Sequence, residues 1–86
     1  MYDLIEKYGF TTQEAIVFEW QFSMMGDFQR SLMTTITLAD EENLKKIAQG
    51  FPHHVEAFKG WSRGGLWDRL KIKMDNNPEV FERFRI

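Results

Sequence analysis

The stretch from Ala39 to Trp61, ADEENLKKIAQGFPHHVEAFKGW, limits what this chain can fold into more than any other. Asp40 stands where a helix N-cap belongs, and Glu41 and Glu42 fill the first turn behind it. Acidic side chains there accept bonds from free backbone N–H groups and sit at the positive end of the helix dipole. Leu44, Ile47 and Ala48 recur at i, i+3 and i+4, which makes one apolar stripe, with Lys45, Lys46 and Gln49 off it. Gly50 supplies a left-handed stop. Phe51 turns into the core, and Pro52, which has no N–H to lose, opens a second helix. That helix carries Val55 and Phe58 inward and ends at Gly60. The centre of the chain is therefore expected to be a tight helix–helix corner.

The flanks read the same way. Residues 3–8 make a short helix closed by Gly9. Thr11 followed by Glu14 is a capping box: the hydroxyl takes the Glu14 N–H while the carboxylate reaches back to Thr11. A helix over 12–25 follows, stopped by Gly26. Phe18 to Met24 alternates apolar and polar residues, which is also a strand signal. The capping box, the glycine and the lack of a matching partner strand favour the helix, apolar on two faces. Asp27 then caps a helix over 28–38, with Phe28, Leu32 and Ile36 at i, i+4 and i+8. Thr34, Thr35 and Thr37 weaken it intrinsically, and MTTITL is the second place where a strand fits. Beyond the corner helices, 41–49 and 52–59, lie candidate segments 65–74 and 78–84, divided by Asp75-Asn76-Asn77-Pro78. The expected fold is all-α: one domain, 1–86, built as a small bundle of about five short helices drawn from these segments.

An 86-residue chain has a thin core, which eight Phe, three Trp and two Tyr help to fill. There is no cysteine, hence no disulfide framework and no thiolate chemistry. No apolar run approaches a membrane span, and Met1-Tyr2-Asp3-Leu4 lacks the pattern of a signal peptide, so a cytoplasmic location is expected. Residues 1–43 hold eight acids and two bases, whereas residues 44–73 hold seven bases and two acids. The split implies either two halves that complement each other or a basic face for an acidic partner, and the internal reading is favoured.

Chemistry is sparse. His53 and His54 are adjacent and point about 100° apart on a helix, so they do not chelate one ion, and no metal or other cofactor is expected. No phosphate loop, nucleophile elbow or carboxylate pair beyond helix capping is present, and an enzyme is not expected. Trp61, Arg63, Trp67, Arg69 and Lys73 surround the flexible Gly64-Gly65 pair and are the candidate partner-binding residues. The competing reading places both tryptophans over the core with the cations solvated around them.

Gly26, Asp27, Phe28, Ala39, Asp40, Asn43, Phe51, Pro52, Val55 and Trp61 together form a pattern that resembles small orphan proteins of bacteriophages and prophages. The resemblance covers less than half of the chain. It implies an accessory protein without an active site that binds and blocks or modulates a host protein, in the manner of counter-defence (anti-CRISPR) inhibitors. Two alternatives stand beside it: a nucleic-acid or nucleotide binder using the basic segment 44–73, and a structural or oligomer-forming phage component. The pI near 5.6 speaks against general DNA binding.

Overall fold

A computed structural model describes residues 2–80, with side chains from Asp3 onward. The described residues form six helices and no strand: α1 Tyr2–Tyr8, α2 Thr12–Gln21, α3 Asp27–Leu38, α4 Glu41–Gly50, α5 Pro52–Arg63 and α6 Leu66–Asn76. The fold is all-α, with one helix more than the five expected. Both stretches that might have been strands, 15–25 and 33–38, are helical in α2 and α3, apart from a turn after Gln21. Of the last expected helix, 78–84, everything from residue 81 on lies outside the described residues.

α2 is the hub. Glu14, Ala15, Ile16, Val17 and Phe18 are all buried, so its first half is enclosed on every side. It packs most extensively along α5 and also meets α6 and α1. Phe18 stacks edge-on against Phe10 at 5.7 Å and lies 5.0 Å from Phe22, ring centre to ring centre. α3 and α4 each lean on α5 from the far side.

The caps follow the local sequence. The Thr11 hydroxyl accepts the Glu14 N–H at 3.1 Å, and Glu14 Oε1 accepts the Thr11 N–H at 2.8 Å, closing the capping box. Asp40 Oδ1 accepts the Asn43 N–H at 2.8 Å. The glycine stops are another matter. α2 ends four residues before Met25, where Ser23, not Gly26, adopts the left-handed conformation with φ 57°. The Ser23 N–H donates to the Trp20 carbonyl and the Met24 N–H to the Glu19 carbonyl, the Schellman pair of bonds, with a serine in glycine's usual place. Gly26 is instead the N-cap of α3, and Asp27 its first residue, ion-paired to Arg30.

Gly50 stays within α4 and has no left-handed φ. The helix stops at Phe51, which serves as C-cap of α4 and N-cap of α5 at once with φ −134° and ψ 62°, and Pro52 stands directly behind. The corner thus has no spacer residue. Phe51 itself does not enter the core: it is 37% exposed, and its ring rests on Phe28 and His54. Gly60 does not end α5, which continues to Arg63. A Cβ at Gly60 would stand 2.9 Å from Leu66 Cδ1, so its bareness lets the start of α6 press onto α5. Gly65, at φ 70°, then makes the actual turn.

Candidate functional site

The residues singled out in the sequence do not converge. Positions two apart on a helix point about 200° apart, which separates Trp61 from Arg63 and Trp67 from Arg69. Trp61 packs edge-on against Trp20 at 4.8 Å and lies beside Phe58, and it and Trp67 are half-buried against the core. Arg63 Nη2 pairs with Glu41 Oε1 at 2.7 Å. Arg69 Nη1 donates to the Gly64 carbonyl at 3.2 Å, bracing the link between α5 and α6. Lys73 Nζ donates to Glu14 Oε1 at 2.5 Å and to the Gly9 carbonyl at 2.9 Å. Lys73–Glu14 and Arg63–Glu41 join the basic segment to the acidic half, which is the internal complement the charge split implied.

Glu14 is the buried charge among the described residues, 2% exposed. Burial pushes its carboxyl upward, but the bonds from Lys73 and the Thr11 N–H outweigh this and hold it below its ordinary range. The Arg63 guanidinium likewise holds Glu41 low. His54 moves down, first because burial disfavours its charged form and then through the neighbouring His53. Its Nε2 is buried without a hydrogen-bond partner among the described residues, whereas His53 is exposed. No group of three or more metal-ligating side chains occurs among the described residues.

Exposed large apolar side chains lie elsewhere: Ile72 on α6, and Phe28, Leu38 and Phe51 along α3 and the corner after α4. Positions 28, 35 and 38 fall on one side of α3, at i, i+7 and i+10, and Ala39 is its C-cap. Phe28 is 67% exposed at one end of that side and Leu38 81% exposed at the other. The threonines between them are less polar than their names suggest. Thr34 and Thr35 turn their hydroxyls back to the carbonyls of Arg30 and Ser31, at 3.0 and 2.9 Å, which also satisfies the groups that make threonine a weak helix former.

On α4 the matching side is Asn43, Lys46 and Ile47. Between the two helices runs a groove of about 430 Å³ lined by Thr35, Leu38, Ala39, Asn43, Lys46 and Ile47. At the Phe28 end the Phe28 and Phe51 rings meet at 5.9 Å. Beside them, where α2 turns into α3, a second hollow of about 480 Å³ is lined by Met24, Met25 and Phe28 together with Glu19 and Asp27. α3 and α4 thus carry an aromatic end and a leucine end on one outward face.

Sequence reading missed this face. It placed Phe28 with Leu32 and Ile36 and Phe51 in the core, because apolar spacing alone does not say which of two stripes meets α5. The available signal was the offset stripe Phe28, Thr35 and Leu38. Comparison of the chain with family models, with curated proteins and with solved structures returns no match. No helix among the described residues is long and apolar enough to cross a membrane.

Proposed function

We propose that this chain works by binding a partner protein, without catalytic turnover, and that the aromatic end of the α3–α4 face makes the contact. The observation that carries this reading is the Phe28–Phe51 pair. Two large rings meet each other at the surface, next to a methionine-lined hollow. Aromatic side chains in such a setting supply most of the energy of a protein contact, and methionines adapt to the partner's shape. The resemblance to phage accessory proteins makes the partner a host protein that binding blocks or modulates, with counter-defence of the anti-CRISPR kind as its specific form. Trp67 and the cations Arg63 and Arg69 lie on other sides, where they serve internal contacts or extend the interface.

The test is affinity capture from a bacterial lysate with wild type and Phe28→Ala side by side. A host protein retained by wild type and lost with Phe28→Ala, at unchanged melting temperature, supports the reading. Retention that ignores Phe28 but fails on charge reversal of Arg63 and Arg69 moves the contact to the basic segment. Salt-sensitive binding of labelled oligonucleotides would replace the protein partner with nucleic acid, since each neutralised phosphate releases counterions.

A further inference from the structure

The leucine end of the α3–α4 face has a property that the aromatic end lacks: it is complementary to itself. Leu38 projects from the end of α3, 81% exposed, and the groove beside it has the small side chain of Ala39 in its lining. Knob and recess lie on one patch. A two-fold contact requires this, because each copy must offer the same surface it receives.

The charges agree. Lys46 lines the groove, and Glu42 lies one turn earlier on the same exposed flank of α4. If α4 of one copy lies antiparallel to α4 of another, with Glu42 opposite Lys46 of the second copy, the axis places Lys46 opposite Glu42 of the second copy. One register therefore makes two opposite-charge pairs, with Asn43 inside the paired stretch and Ile47 one residue beyond it. Thr34 and Thr35, with their hydroxyls turned back to their own helix, add little desolvation cost to closing the patch.

We propose that a second copy of this chain covers the groove between α3 and α4, forming a two-fold dimer through Leu38, Ile47 and the reciprocal Glu42–Lys46 pairs. This goes beyond the partner-binding reading and uses the opposite end of the face. Phe28 and Leu38 are ten residues apart, about 15 Å along α3, so the dimer leaves both aromatic ends open.

The test is the association constant of the full chain by sedimentation equilibrium, with Glu42→Lys, Lys46→Glu and the double exchange. Wild type is expected to show a concentration-dependent dimer. Each single reversal is expected to weaken it by roughly tenfold, since the axis repeats every like-charge clash. The double exchange restores the pairs and should recover the wild-type constant. Leu38→Glu, at a position too exposed to disturb the fold, should leave a monomer with an unchanged far-ultraviolet spectrum. A wild type that is monomeric at every concentration overturns the proposal, and so does a dimer that ignores the single reversals or is not recovered by the exchange. Neither failure touches the capture experiment, whose readout depends on Phe28.

Discussion

The two sides of this small protein invert the usual distribution of polarity. The start of α2 lies deep in the fold yet holds a carboxylate, Glu14, while the outward face of α3 and α4 holds Phe28, Leu38 and part of Phe51. The difference is one of pairing. Glu14 has the Thr11 N–H and the Lys73 ammonium as partners, so its burial is tolerated. The Phe28 and Phe51 rings meet each other, and Phe51 also meets the His54 ring, yet both side chains remain exposed. The buried side is finished within one molecule, whereas the outer side is the part that another molecule would complete.

The largest effect tests the finished side. Phe18→Ala should cost about 3–5 kcal/mol, the range for a fully buried phenylalanine. For a domain of this size that lowers the melting temperature by more than 10 °C, at roughly 4–8 °C per kcal/mol. Phe18→Ala that melts near wild type would deny α2 its central place.

Lys73→Met should come next, at about 3 kcal/mol, because it strands a buried carboxylate. Its pH dependence adds detail. Glu14 is held below its ordinary value of 4.5, so the pair stabilises the fold above that pH and the benefit is lost as pH falls through the lowered value. The gap between wild type and Lys73→Met should therefore narrow in acid, and melting curves along a pH series would show it.

His54 lies between the two regions, under Phe51. Its folded value is below the ordinary 6.5, so the neutral ring is the stable form inside. Stability should fall as pH drops below about 6.5, where the unfolded chain takes up the proton first. His54→Leu should flatten that part of the curve, and an equal slope in both proteins would show that the imidazole is indifferent to its surroundings.

On the open side, Phe28→Ala and Phe51→Ala should each cost less than about 1 kcal/mol, within the range of ordinary surface changes. A loss as large as that of Phe18→Ala would erase the contrast between the two sides. The smallest effect is a gain. Ser23→Gly relieves the left-handed serine at the end of α2 and should raise stability by about 0.5–1 kcal/mol, net of glycine's greater entropy loss. Chemical denaturation of this variant measures it directly.

What the sequence revealed was local. Thr11 with Glu14, and Asp40 with Asn43, are caps whose partners are three residues away, so the spacing alone shows them. The all-helical character follows from apolar periodicity, which also marked α2 as apolar on two faces, although its first half proves buried all round. The glycines misled because a helix end depends on what the last carbonyls meet. Gly26, Gly50 and Gly60 carry no left-handed turn, while Ser23 does. Gly60 is small for the sake of Leu66, a contact made only because α6 folds back on α5, which the spacing along one helix does not show. The same holds for the candidate site. Trp61 meets Trp20, and Lys73 meets Glu14, 59 residues earlier. Such contacts give Trp61 and Lys73 partners within the fold that local spacing does not show, and the outward turn of Phe28 is equally invisible to it.

The Lys73 clasp also sets a schedule. Its two acceptors, Glu14 and the Gly9 carbonyl, leave the ribosome long before their donor exists. At about 5–20 residues per second, Lys73 is made roughly 3–12 s after Glu14. Until then the helix that becomes the centre of the fold begins with a carboxylate held only by its own cap and by water. Joining residues so distant in the chain is also a slow kind of closure, which rewards late steps over early ones. Glu14 therefore gains its counter-charge only after Lys73 has been synthesised, although its own cap, closed between residues three apart, can form far earlier.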